Sequence, residues 1–314
     1  MLDILAVTFP FFALVLCGYV AVRHGMLPLV AIPGMNSFVL YFALPCMLFR
    51  FGAATPLAQL LDPGLFAVYL LCALLMVGLT MAATLSHRID WNDAAFGALV
   101  AAFPNTGFMG VPLLLALLGP RSSGPVILTI AVDMIITSSL CIALSRIGSG
   151  RGRAAVLAAL RGMLANPMPW SIVLGALASA LGLALPGPLQ RSVAMLADAA
   201  SPVALFTIGA VLARSQMASA DATPLREYVP VALKKLVLHP LLMLALGHGA
   251  IRLGLPLEPF ALNTVVLVAC LPSASNVAML SERYGADTGR IARIILVSTA
   301  ISFLTFSAAV MLLR

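Results

Sequence analysis

The sequence predicts an all-α membrane protein of ten transmembrane helices, arranged as two inverted five-helix repeats. Three observations carry that prediction. The chain is 62% hydrophobic and 9% charged over 314 residues, with a mean hydropathy of +1.09, whereas soluble domains carry roughly a quarter charged residues. Its apolar runs reach about 20 residues, the length at which a helix spans a bilayer. One half of the chain also echoes the other at a fixed spacing. The alternating ten-residue pattern of a β-barrel does not occur.

In chain order the predicted helices fall at 4–22, 32–51, 64–86, 93–118, 124–145, 168–185, 191–213, 228–252, 259–281 and 290–313. Ahead of the first run, Met1-Leu2-Asp3 has no basic region, and Arg23-His24 follow it, so it reads as a retained span and not a cleaved leader. Residues 1–145 form the first repeat, 146–166 a short basic linker and 167–314 the second repeat. With the N-terminus outside, thirteen of the 18 lysines and arginines fall on the cytoplasmic side, Lys234, Lys235 and Arg290 among them, against five outside. That bias places both termini in the periplasm. Arg50, at the end of helix 2, reads as a side chain snorkelling outward.

The net charge of +7 sits in gaps between apolar runs, which argues for membrane orientation and against a nucleic-acid partner. Cys17, Cys46, Cys72, Cys141 and Cys270 lie singly in apolar runs and read as small buried hydrophobes. His24, His87 and His248 form no pair suited to a metal, and no cofactor is expected. The chain has no phosphate-binding loop and no G-x-S-x-G element, so ATP is not the direct energy source and an enzyme is not expected. Arginine outnumbers lysine 16 to 2, which points to a GC-rich bacterial genome and hence to an inner membrane.

The repeat is carried by prolines and glycines. Pro10 and Pro167 are 157 residues apart, and the same offset relates Gly18 to Gly175, Gly25 to Gly182, Pro45 to Pro202 and Gly52 to Gly209. "PCMLFRFGA" (45–53) and "PVALFTIGA" (202–210) share P-x-x-L-F-x-x-G-A, which predicts close symmetric packing of helices 2 and 7 at Gly52 and Gly209. Five helices per half is odd, so the second repeat enters the membrane with opposite polarity, an architecture of many secondary transporters.

Helix 4 carries Pro104-Asn105-Thr106-Gly107 at its centre, and its partner, helix 9, carries Pro272-Ser273-Ala274-Ser275-Asn276. Each proline removes a backbone donor and biases the residue before it, Phe103 or Leu271, away from helical geometry. Gly107 permits a left-handed or tight turn. Irregular backbone at membrane depth is tolerated only where it is buried in protein or lines a cavity. Two such breaks crossing near mid-membrane would turn half-helix N-termini, each worth about half a positive charge, toward one site suited to a carboxylate.

"FPNTGFMGVPLL" (103–114) resembles the fourth-helix motif of the auxin efflux carrier family, and "LPSASNVAMLSERYG" (271–285) resembles its ninth-helix stretch. The resemblance covers essentially the whole chain. It implies crossed broken helices 4 and 9 within a mobile transport domain of helices 3–5 and 8–10. Helices 1, 2, 6 and 7 would form the scaffold, with a homodimer contact through helices 2 and 7. The long cytoplasmic loop of many plant members is absent, which points to the short bacterial-type members and to small organic acids such as malate or malonate.

Asp133 in helix 5, Asp198 in helix 7 and His239 in helix 8 are ionisable groups in or near apolar runs, costly there and functional by default. Asp133 is deepest and is the leading coupling residue, for a proton before sodium, because a sodium site needs several oxygens and Asp133 alone is well placed. Lys235 and His239 are four apart and share a helix face, where they either attract an anion or anchor the helix. The reading is therefore a secondary carrier, by alternating access, of small organic anions, either carboxylates such as malate or malonate or auxin-like acids. A sodium-coupled symporter of the bile-acid or sodium/proton antiporter architecture is the alternative, and a channel is disfavoured because no selectivity-filter sequence repeats.

Overall fold

The computed structural model describes residues 2–54, 62–146, 167–218 and 224–313. The expected linker therefore lies outside the described residues, apart from Arg146. Among those described, the chain is all helix, with one isolated antiparallel backbone bridge and no strand.

Helices occupy the predicted runs in order. They are α1 (Leu2–Arg23), α2 (Ala31–Ala54), α3 (Pro63–Thr84), α4 (Trp91–Ala102), α5 (Thr106–Leu118) and α6 (Pro120–Ser145). After the linker come α7 (Pro167–Leu181), α8 (Gly187–Ala218), α9 (Leu225–Arg252), α10 (Pro259–Ala269), α11 (Asn276–Tyr284) and α12 (Thr288–Leu313). The fourth predicted run is divided into α4 and α5, and the ninth into α10 and α11. Among the described residues, six helices are long and apolar enough to cross a membrane by length and composition. Large apolar side chains such as Leu16, Tyr41, Leu177, Leu241 and Leu304 are exposed, where only an apolar solvent would favour them.

Proline shapes several helices without ending them. In α2, α5 and α9 a π-helical turn (Val39–Ala43, Thr106–Gly110, Lys234–Leu238) lies just ahead of Pro45, Pro112 and Pro240. Proline lacks the N–H and crowds the carbonyl four residues back, so the turn before it widens. The fourth π turn, Asp133–Thr137 in α6, has no proline to explain it. There the Ser138 hydroxyl donates to the Asp133 carbonyl at 2.8 Å.

The chain packs as two compact units. The first takes in α1, α2, α7, α8 through Met217, α5 from Gly107 and α6 through Leu128. Its close approaches are made at glycines. Gly18 lies against the Phe206 carbonyl and Gly209 against the Val15 carbonyl, so α1 meets α8. Gly175 lies against the Phe49 carbonyl, and a Cβ at Gly52 would sit 2.9 Å from the Ile172 carbonyl, so α2 meets α7. Val15 and Ile172 are 157 residues apart, as are Phe49 and Phe206. The glycine faces expected to join helices 2 and 7 are thus used on α7 and α1. Val22, Ile32, Ala210 and Ala213 complete a small core beside the α1–α8 contact. In the same unit Arg50 donates to Asp198 at 2.7 Å, both partly exposed, so Arg50 is an ion-pair partner and not a free snorkelling charge.

The second unit holds α3, α4, the remainder of α6 and α9 to α12. In it, α3 packs on α4 and α9, α10 packs on α9, and the start of α9 packs on α12. Asp90 caps α4 by accepting from the Asp93 N–H at 2.9 Å, and Asp93 in turn accepts from the Asp287 N–H at 2.7 Å. Asp287 accepts from the Arg290 N–H at 2.9 Å. Arg290, expected as a loop charge, is buried and donates to the carbonyls of Glu227 and Asp93, both at 2.9 Å. Lys235 is likewise buried inside α9. Both leave the count of cytoplasmic loop charges, and eleven against five keeps the same bias.

Candidate functional site

The two breaks meet. α4 ends at Ala102, where Phe103 turns to extended geometry (φ −96°, ψ 104°) ahead of Pro104. α10 ends at Ala269, three residues before Pro272. The extended segments then pair antiparallel at Pro104 and Ser273. The Asn105 N–H donates to the Pro272 carbonyl at 2.8 Å, and the Ala274 N–H donates to the Phe103 carbonyl at 2.9 Å. Each break supplies the partner that the other's freed backbone needs, which is how irregular chain survives at that depth. Ser273 N–H adds a bond to the Ser298 hydroxyl at 3.2 Å.

Around this crossing sit buried polar atoms with no partner in the structure: Asn105 Oδ1, Ser273 Oγ and Asn276 Oδ1. Such atoms are expensive to leave unpaired, and a ligand or water is the usual remedy. α5 begins at Thr106 and α11 at Asn276, directly after the two breaks. The Thr106 hydroxyl is turned back to the Pro104 carbonyl at 3.4 Å, and Ser275 is half-buried. Gly107 departs from expectation. It lies in the π turn that starts α5 and is not among the positive-φ glycines, because the chain has already re-entered a helix there.

A second buried polar group lies in the same unit. The Asp133 carboxylate accepts from the Tyr69 hydroxyl at 2.7 Å and the Thr137 hydroxyl at 3.1 Å. The Lys235 ammonium donates to the Ala269 carbonyl at 2.8 Å and lies 2.9 Å from His239 Nδ1. Asp133, Lys235 and His239 are all fully buried, and Asp133 lies within electrostatic range of Lys235. Among the described residues no group of three or more His, Cys, Asp or Glu side chains is arranged to hold a metal ion.

The sequence reading missed Tyr69, Thr137, Ser298 and the Ala269 carbonyl. Thr137 carried a signal, one turn after Asp133 on the same face. Tyr69 and Ser298 carried none, since their partners lie 64 and 25 residues away.

The family described as Membrane transport protein matches residues 4–310. A Rhizobium meliloti (strain 1021) protein named "Putative malonate transporter" is 31% identical over 323 residues, covering 100% of this chain and 97% of that protein. "Uncharacterized transporter YfdV" of Escherichia coli (strain K12) is 25% identical, over 62% of this chain and 60% of its own. "Auxin efflux carrier component 3a" of Oryza sativa subsp. japonica is 28% identical over 47% of this chain and 25% of its own.

Proposed function

Because the chain belongs to the membrane transport protein family of the auxin efflux carriers, we propose that this transporter is a secondary carrier of small organic dianions, malonate or malate in kind, working by alternating access. One observation carries the reading: buried, unpartnered Asn105, Ser273 and Asn276 atoms lie at the paired breaks, where α5 and α11 begin. Two N-termini suit the two carboxylates of such a substrate. The name of the R. meliloti relative points to the same substrate class.

In this reading Pro104 to Gly107 and Pro272 to Asn276 form the site, within two inverted five-helix repeats. The 157-residue offset between the two glycine contacts supports the repeat. Predicted helices 1, 2, 6 and 7 act as scaffold and helices 3–5 and 8–10 as the moving part, an elevator arrangement. The packing of α1, α2, α7 and α8 into one unit favours the scaffold grouping, while that unit also takes in α5 from Gly107 and α6 through Leu128. Two copies pair through predicted helices 2 and 7 in the inner membrane of a bacterium, with both termini periplasmic.

Uptake of labelled malonate, malate and monocarboxylates into proteoliposomes, with imposed pH and sodium gradients, tests the proposal. Saturable uptake with counterflow, driven by pH and indifferent to sodium, is expected. Flux that never saturates would make the protein a channel, and sodium-driven uptake would favour the symporter alternative.

Asp133 is the proposed proton carrier, faced by Tyr69 and Cys72 of α3, Cys141 of its own helix and Lys235 of α9. Asp133→Asn keeps the shape and removes the titrating charge. It should abolish pH-driven uptake while leaving malonate counterflow and the elution profile intact; an unchanged pH profile would remove Asp133 from the mechanism.

A further inference from the structure

Where α10 stops, its last carbonyls have no helical partner and carry the negative end of the helix dipole. Lys235 answers one of them, donating from Nζ to the Ala269 carbonyl at 2.8 Å. The same ammonium meets Nδ1 of His239 at 2.9 Å, one turn on. Cys72 Sγ lies 4.0 Å from the His239 carbonyl, and one turn back along α3 Tyr69 donates to Asp133. His239 Nε2 is buried without a partner. A helix C-terminal carbonyl and an imidazole thus meet one amine, three residues before the break at Pro272, with the Asp133 carboxylate within electrostatic range of it.

Unwound carbonyls and half-helix C-termini are what hold a coupling cation in transporters with broken helices. Here the positive charge is on a side chain. We propose that Lys235 is a tethered internal cation: it fills, with its own ammonium, a cation site at the carboxyl end of α10 and holds that end in place for the crossing. Removing the side chain exposes a site for a small free cation, lined by the Ala269 carbonyl, His239 Nδ1 and the field of Asp133. The role in transport rests on the carrier reading above, whereas the effect on folding does not.

The test uses the full-length purified protein, melted in equal concentrations of sodium, methylammonium or choline chloride. Wild type should melt at one temperature in all three. Lys235→Ala should melt lower in choline and recover most of the loss in methylammonium or sodium, which fit the vacated space as choline does not. If the variant aggregates in choline, purification in methylammonium should return it monodisperse. Equal melting of the variant in all three salts, or aggregation in all three, would overturn the proposal. In proteoliposomes, malonate uptake by Lys235→Ala should fall about tenfold or more in choline, the equivalent of one charged hydrogen bond, and rise again with the small cation. Failure of wild-type uptake would sink the carrier reading while leaving the melting result to decide the cation site.

Discussion

Replacing Gly209 with leucine should leave no monodisperse protein, and even Gly209→Ala should be damaging. The clash begins at Cβ, which would overlap the Val15 carbonyl oxygen and lie 2.7 Å from the Tyr19 nitrogen. No rotamer relieves that, so α1 and α8 must move apart. Overpacking that side chains can absorb already costs about 1–3 kcal/mol, and here rigid backbone is the obstacle. The matching face, Gly18 against the Phe206 carbonyl, should respond as severely. Gly52, where the added carbon would be 2.9 Å from the Ile172 carbonyl, should tolerate alanine better. Gly78 is exposed, with nothing within 4 Å of an added Cβ, and Gly78→Leu should be silent. Size-exclusion profiles and melting temperatures of the variants at these four positions check the order. A well-folded Gly209→Leu protein that had lost only substrate binding would contradict the packing role.

The sequence made the helices and their breaks legible because apolar length and proline act locally. Leu2–Arg23 and Thr288–Leu313 follow from hydropathy alone, and the divisions at Ala102 and Ala269 follow from Pro104 and Pro272. The P-x-x-L-F-x-x-G-A repeat identified glycines made for close packing but not their partners, since a small residue marks a thin face without saying what lies against it. Arg290 was misread for a related reason. A basic residue near a helix start looks like a loop charge, and only the fold brings the Glu227 carbonyl to it from 63 residues away. Asp133, Lys235 and His239 were each visible as ionisable groups in apolar runs. Tyr69, which holds Asp133, is an ordinary aromatic residue until α3 and α6 pack together.

Asn105→Ala should weaken binding of malonate by about 10- to 150-fold, the range expected for a lost hydrogen bond to a charged group, about 1.5–3 kcal/mol. The Asn105 side chain is buried at the crossing with its Oδ1 unpartnered, while its backbone N–H is committed to Pro272. The substitution therefore removes the amide from the site and leaves the bridge that holds the breaks together. An amide both donates and accepts, so it can meet a carboxylate directly or orient the first turn of α5 toward it. Asn276→Ala should cost less, because Asn276 is only half-buried and opens α11 as well as facing the site.

The most direct measurement is equilibrium binding of malonate to purified wild-type protein and to Asn105→Ala, each shown monodisperse at the same elution volume. A carrier whose site lies at the crossing should bind saturably in the wild type and about 10- to 150-fold more weakly in the variant. Equal affinity in the two proteins would mean that the paired breaks are structural kinks and that the substrate binds elsewhere.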